Sequence, residues 1–214
     1  MENSQEIKEV KEVKVQTKEW ANPTPAGLVA LAAVCFCFFG QLTGLYNAKE
    51  SLPLLGCWLI GGFLVQVIVG LLDLKSGNLP GGNTFLFFSA FFMFVNGLEM
   101  FYKYKGIMDG APLDTRVDGY AWIALTAVLL LWTPAFLKTF SLLSCIILAV
   151  DVALPFKTLL NLGVLPADMI PVAKYIAGIA LLVAGIFAVY LSAALVVNGT
   201  FGKEIYPIIK PKKK

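Results

Sequence analysis

The stretch Asn22-Pro23-Thr24-Pro25-Ala26-Gly27-Leu28 separates a charged N-terminal tail from an apolar run that lasts to about Tyr46. Asparagine can cap the free N–H groups of a first helical turn, and a proline inside that turn sacrifices no hydrogen bond. The stretch therefore predicts the start of a helix. Because a helix start carries a partial positive charge that attracts anions, two interpretations stay open here: a simple helix start, or one wall of an anion site.

Hydrophobic residues make up 58% of the 214 residues and charged residues only 14%, with a mean hydropathy of +0.76. This composition predicts an all-α polytopic membrane protein. Residues 1–21 contain no apolar stretch, so we expect a disordered cytoplasmic tail there and not a signal peptide. Residues 22–202 are expected to form the transmembrane domain, and residues 203–214 a basic cytoplasmic tail.

Six apolar runs are long enough to cross a bilayer as helices, which takes roughly 20 residues each. They cover residues 26–46, 53–73, 84–102, 120–137, 139–160 and 171–197. An even number of spans places both termini on one side. Eleven Lys and Arg residues fall in the tails and loops of that side and six on the other. The positive-inside rule therefore predicts cytoplasmic termini and a location in the cytoplasmic membrane.

Several classes of site are excluded by composition. The chain has no histidine, so His-based proton relays, metal sites and catalytic triads lack their usual residue. No glycine-rich phosphate loop or Cys-x-x-Cys pair occurs, and all four cysteines lie in apolar runs, where we expect them to pack. We therefore expect no enzyme, metal site, cofactor or nucleic-acid partner.

Three predicted helices start on the cytoplasmic side. Their starts are Asn22-Pro23, Asn83-Thr84 and Lys138-Thr139. If these helices are neighbours, their positive ends favour an anion in the mouth between them.

Small residues recur at every fourth position in several spans, which usually indicates close helix packing. These stripes comprise Gly40 and Gly44; Gly62, Gln66 and Gly70; and Ala180, Ala184, Ala188 and Ser192. Gln66 differs, because a buried amide needs a hydrogen-bond partner. We expect it either to cross-link helices or to face a wet path.

Asp151 is the one carboxylate deep inside a predicted span. An ionisable group at that depth is a candidate functional group, here a proton site. The alternative is an ion pair with Lys157 near the interface. Residues 85–94 of the third span are rich in phenylalanine, which favours lipid-facing bulk but also suits a narrow apolar gate.

Four blocks in order resemble the acetate uptake transporter family, which includes bacterial succinate–acetate permeases and their yeast relatives. Residues 22–28 resemble the family's N-P-A-P-L-G-L signature. The other blocks are Gly62-x-x-x-Gln66-x-x-x-Gly70-Leu71-Leu72-Asp73, Gly82-Asn83-Thr84-Phe85, and Tyr190-Leu191 followed by Asn198-x-x-Phe201-Gly202-Lys203-x-x-x-Pro207. The middle of the chain matches less, and residues 78–81 look like an insertion that lengthens the loop between spans two and three.

The resemblance implies a homohexamer in which each protomer carries its own path for acetate, other small monocarboxylates and, in some members, succinate. It also implies an apolar constriction. Counting from the matched blocks places the constriction at Leu31 and Met93, with Phe92 beside Met93, where the family favours Phe and Tyr. The substrate-binding residues suggested by these blocks and by the helix starts are Asn22, Pro23, Pro25, Gly27, Gln66, Asn83, Thr84 and Ala188.

We therefore predict transport of small carboxylates across the membrane, either proton-coupled or channel-like. Two alternatives stay open. One is ammonia permeation or an efflux role. The other is a non-transporting membrane sensor or scaffold, in which residues 1–20 bind a partner.

Overall fold

The computed structural model describes residues 20–138 and 141–209, and the described secondary structure is entirely helical. The elements are α1 (Thr24–Thr43), α2 (Leu52–Lys75), α3 (Leu79–Phe87), a π-helix (Phe88–Val95), α4 (Asn96–Met108), α5 (Arg116–Leu137), α6 (Leu142–Leu162) and α7 (Met169–Phe201).

Six helical segments in the described part of the chain are long and apolar enough to cross a membrane. α3, the π-helix and α4 form one of them, Leu79–Met108. The prediction of an all-α membrane protein with six spans is thus confirmed. α1 and α7 run antiparallel, because Ser192 near the end of α7 donates a hydrogen bond of 2.9 Å to the Pro25 carbonyl at the start of α1. The start of α1 and the end of α7 therefore lie on one side, called here the terminal side; the other is the distal side.

The six spans form a closed ring. α1 packs against α2 and α7, α7 against α6, α6 against α5, and α2 against the α3–α4 segment. Phe87 of α3 and Trp132 of α5 close the ring, with their rings edge to face and their centroids 6.2 Å apart. A ring of this kind leaves a central space that side chains from most of the spans can line.

The small-residue stripes of α2 and α7 serve close packing, whereas Gly44 of the first stripe is the C-cap of α1 and Gly40 lies against the Tyr46 ring. A Cβ atom at Gly70 would lie 3.0 Å from the carbonyl oxygen of Gly82. A Cβ atom at Gly62 would lie 2.7 Å from the sulfur of Met93. Ala184 has no exposed surface. These positions let α2 approach the third span, and α7 approach its neighbours, more closely than larger residues would allow.

The start of α3 differs from the prediction. α3 begins at Leu79, and the Asn78 side chain caps it by accepting a 3.1 Å hydrogen bond from the Gly81 N–H. A proline in the first turn, Pro80, is compatible with a helix because its missing N–H would have had no partner there. The predicted start at Asn83-Thr84 is therefore wrong, and residues 78–81 form the cap and first turn instead of a longer loop.

The start of α6 also differs. Lys138 follows the end of α5, and α6 begins at Leu142, where Ser141 and Ser144 form a capping box. The predicted start at Lys138-Thr139 is therefore wrong, and Thr139 itself lies outside the described residues. The helix continues through Pro155 to Leu162 without a break.

Residues 203–209 fold back along α7. The Tyr190 hydroxyl donates a 2.7 Å hydrogen bond to the Pro207 carbonyl, and the Asn198 amide donates one of 2.8 Å to the Tyr206 carbonyl. Two residues of the last sequence block, Tyr190 and Asn198, thus hold this returning segment against α7. Residues 1–19 and 210–214 lie outside the described part, so the prediction of a disordered N-terminal tail stays a prediction.

Candidate functional site

A small cavity of about 30 Å³ lies inside the ring towards the terminal side. We call it the terminal cavity. Its wall is apolar except for four residues, which are Thr24, Gln66, Asn78 and Thr84. A space of this size with polar groups in its wall can hold a water molecule or a small polar group.

Within residues 20–138 and 141–209, two of these polar residues have side-chain atoms without a hydrogen-bond partner. The Gln66 amide donates a 3.1 Å hydrogen bond to the Gly27 carbonyl, which fixes its orientation and leaves its oxygen unpaired. The Thr84 hydroxyl is also buried and unpaired. Because an unpaired buried polar atom is costly, the pair indicates that a polar guest occupies this space. Gln66 therefore links α2 to α1, as one of the two expectations held, and it also lines the terminal cavity.

A buried carboxylate organises the wall of the terminal cavity. Asp73 is 2% exposed, and it accepts hydrogen bonds from the Thr24 hydroxyl at 3.3 Å and from the Asn78 amide at 3.0 Å. Thr24 belongs to the first turn of α1, and Asn78 caps α3. Asp73 thus joins both helix starts to the end of α2, and it holds two cavity-lining side chains in place.

A larger cavity of about 380 Å³ lies towards the distal side, between α1, α2, the third span, α6 and α7. We call it the distal cavity. Its polar lining consists of five residues, which are Gln41, Lys103, Lys157, Asn161 and Lys174. Three of the five are lysines, so this wall presents positive charge to the space.

The lysines differ in their partners. Lys103 is paired with Glu99 at 2.8 Å and with Asp118 at 2.9 Å. Lys157 has no carboxylate within 4.0 Å among residues 20–138 and 141–209. Its ammonium donates one long hydrogen bond of 3.5 Å to the Asn96 side-chain oxygen. A partly buried cation without a counter-ion attracts anions.

Lys157 also lies against aromatic rings. Its nitrogen is 5.3 Å from the ring centre of Trp122 and 5.7 Å from that of Phe38. Contacts of this kind stabilise an ammonium where water is scarce. The same two rings contact Phe92, whose centroid is 5.3 Å from Phe38 and 6.1 Å from Trp122. The ammonium therefore lies close to Phe92.

An aromatic neck separates the cavities. Phe88 lines the terminal cavity, Phe92 lines the distal cavity, and their ring centroids are 5.5 Å apart in an edge-to-face arrangement. Leu31 of α1 also lines the terminal cavity. We call Leu31, Phe88 and Phe92 the neck.

Two of the three neck residues, Phe88 and Phe92, lie on the π-helix. A π-helical turn holds one residue more than an α-helical turn, so the faces of the helix shift relative to a count made on regular α-helix. This shift explains the position of Met93, which lines neither cavity and packs against Gly62 of α2. Asn96 bonds the Phe92 carbonyl at 3.1 Å at the end of the π-helix, and this bond holds the register.

The structure brings some predicted residues together and leaves others apart. Gln66, Thr84 and Leu31 line the terminal cavity, Gly27 contributes its carbonyl to Gln66, and Phe92 lines the distal cavity. The remaining residues that we predicted line neither cavity: Asn22, Pro23, Pro25, Asn83, Met93, Asp151 and Ala188.

Two of these have a clear structural role. Asn22 accepts a 3.0 Å hydrogen bond from the Thr24 N–H, but the N-cap position of α1 is Pro23, so Asn22 lies one residue before the predicted cap position. Asn83 donates to the Leu79 carbonyl at 2.8 Å and faces a groove between α3 and α5. The helix start at Asn78 moves Asn83 into the helix and away from the terminal cavity.

Asp151 lies between α6 and α5. One of its oxygens accepts a 2.5 Å hydrogen bond from the Thr133 hydroxyl, and the other is buried and has no partner in the described part of the chain. The alternative of an ion pair between Asp151 and Lys157 is wrong, because Lys157 points into the distal cavity and bonds Asn96.

Sequence reasoning missed Lys157, Asn161 and Phe88. Lys157 carried a usable signal, since a lysine inside a predicted span is as unusual as the aspartate that we singled out. Asn161 follows it by four residues and so shares its helix face. The sequence gives no comparable signal for Phe88, which is one of many phenylalanines in the third span.

The chain matches the sequence profile of the GPR1/FUN34/yaaH family over residues 7–203. It belongs to this family. The family resemblance read from the sequence is thereby confirmed.

A solved structure of a bacterial acetate channel, SatP, is similar to this member of the GPR1/FUN34/yaaH family with a TM-score of 0.74 and 23% sequence identity. The match covers 89% of this chain and 99% of SatP. At this identity the likeness establishes a shared fold. A search of curated proteins found no match.

Proposed function

We propose that the protein transports acetate and other small carboxylates across the cytoplasmic membrane, through a path in each protomer of a homohexamer. The observation that carries the proposal is a pair of cavities between the helices of one ring, one towards the terminal side and one towards the distal side, with the neck between them. Membership of the family and the shared fold with a bacterial acetate channel support this substrate. Succinate is the largest substrate that we include.

The charges favour an anion. Three lysines line the distal cavity, and the nearby carboxylates Glu99 and Asp118 are both paired with Lys103. A lining of this sign attracts carboxylates and repels ammonium. It therefore supports the carboxylate proposal over ammonia permeation by way of ammonium.

The neck is the main energetic barrier on the proposed path of a carboxylate. A bare carboxylate is very costly in an apolar environment, so it must cross a short barrier or pick up a proton first. The barrier here consists of the Phe88–Phe92 pair with Leu31, and polar groups lie on each side of it. Both a channel-like and a proton-coupled mode fit this layout, with the terminal side facing the cytoplasm.

Flux of labelled acetate into proteoliposomes tests the proposal. We expect saturable uptake with the purified protein, measured with and without a pH gradient and with a protonophore. Uptake that collapses with the gradient indicates proton coupling, and uptake that ignores it indicates a channel. No uptake above that of empty liposomes would contradict the proposal.

A further inference from the structure

We infer that Lys157 and Asn161 form a binding site for an ionised carboxylate in the distal cavity, at the lip of the neck. This inference rests on the proposed function, because it names the group that receives the substrate. Neither residue belongs to the motifs that relate the chain to its family.

The donors are available. Lys157 has three N–H donors, and its single hydrogen bond within the described part of the chain is the 3.5 Å bond to Asn96. The Asn161 side-chain nitrogen is buried and has no partner among residues 20–138 and 141–209. Each residue therefore has donor capacity that the protein leaves unused.

The free N–H donors of Lys157 and Asn161 also face the same part of the distal cavity. Residues four apart on a helix lie on the same face, with their Cβ atoms roughly 5–6 Å apart. Lys157 and Asn161 both line the distal cavity, so their free donors face the same space. A carboxylate has two oxygens, and it can accept from an ammonium with one and from an amide with the other.

The surroundings favour an ionised ligand. No carboxylate of the described residues lies within 4.0 Å of the Lys157 nitrogen, and Trp122 and Phe38 shield it from water. A charge-assisted hydrogen bond in such a place is stronger than one in water. The contact of Phe92 with the same two rings puts the bound carboxylate next to the neck.

Trp122 supplies a direct readout of binding. Its ring lies 5.3 Å from the Lys157 nitrogen. A bound carboxylate offsets the positive charge of the ammonium and so changes the electric field at the indole. We expect sodium acetate to shift the tryptophan emission of the wild-type protein in detergent, and we expect Trp122→Phe to abolish the shift. An equal shift with sodium chloride at the same concentration would overturn the assignment to a carboxylate, and no shift with acetate would overturn the site.

Variants distinguish the effect of the charge at Lys157 from the effect of positive charge elsewhere on the distal side. We expect Lys157→Gln to weaken acetate binding and to raise the half-saturation concentration for uptake about tenfold, a change of about 1.4 kcal/mol. Lys157→Arg should retain most of the acetate affinity and most of the apparent affinity in uptake. Lys49→Gln is the matched control, because it removes one positive charge from an exposed residue of the distal side that lines neither cavity; we expect less than a twofold change.

The outcomes for the site and for transport are distinct. Equal effects of Lys157→Gln and Lys49→Gln would overturn the site while leaving transport intact. Acetate binding that depends on Lys157, without flux in proteoliposomes, would support the site and contradict transport.

Discussion

Phe88 and Phe92 meet edge to face with 5.5 Å between their ring centroids, and each lines a different cavity. The two residues are four apart on a π-helix, a rare element that occurs most often at functional sites. On the path that we propose, a substrate that moves from one cavity to the other passes this pair. The size of the opening beside it therefore decides which carboxylates pass.

Phe92→Ala should widen the neck and relax selection by size. Because it removes a ring that closes the distal side of the barrier, we expect succinate flux relative to acetate flux to rise about tenfold, or about 1.4 kcal/mol in the barrier. Met93→Ala is the matched control: Met93 is adjacent and equally buried, but it packs against Gly62. If Met93→Ala widens the substrate range and Phe92→Ala does not, the neck is misplaced.

Gln66→Leu should impair uptake by removing polar lining from the terminal cavity. The variant loses the bond to the Gly27 carbonyl and also the unpaired oxygen that faces the cavity. Ser192→Ala is the control, since it removes a similar bond to an α1 carbonyl outside both cavities. It should cost about 1 kcal/mol of stability and leave the uptake kinetics unchanged. Equal uptake by both variants would argue that Gln66 serves only packing.

Asn78→Ala and Asn83→Ala should differ sharply. Asn78 caps α3, binds Asp73 and lines the terminal cavity. Its loss should cost about 0.5–2 kcal/mol of stability, as for other helix caps, and should lower uptake. Asn83 bonds only its own helix and faces a groove outside the ring, so Asn83→Ala should behave like the wild type. Thermal unfolding in detergent and acetate uptake check both effects, and a larger loss of uptake for Asn83→Ala would reverse the assignment.

Asp151→Asn should leave the response of uptake to a pH gradient unchanged. Asp151 lines neither cavity, and its described partner is the Thr133 hydroxyl. We expect a stability effect that Thr133→Val shares, with a coupling of about 0.5–3 kcal/mol in a double-mutant cycle. Loss of the gradient response in Asp151→Asn alone would restore Asp151 as the proton site that the sequence suggested.

The sequence predicts the six spans well, because a helix that crosses a bilayer must be apolar over its whole length. It also identifies Gln66, since an amide among glycines in an apolar run stands out. It fails where position depends on local geometry. The helix cap at Asn78 moves Asn83 out of the terminal cavity, and the π-helix turns Met93 away from the neck and Phe92 towards it.

The distal cavity was harder to predict for a different reason. Lys157 and Lys174 were counted with the residues that set topology, where a lysine is simply a charge on one side of the membrane. Only the packing of α6 against the rest of the ring shows that Lys157 faces an interior space beside Phe38 and Trp122.

Narrowing the path at Leu31 tests most directly whether acetate crosses each protomer through this neck. Leu31 lines the terminal cavity, whereas Val29 on the same helix is 56% exposed on the outside of the ring. At equal incorporation into proteoliposomes, we predict that the acetate flux of Leu31→Phe is lower than that of the wild type. The flux of Leu31→Trp should fall to the level of empty liposomes. Val29→Trp should keep the flux of the wild type. Full flux through a folded Leu31→Trp protein would contradict the account.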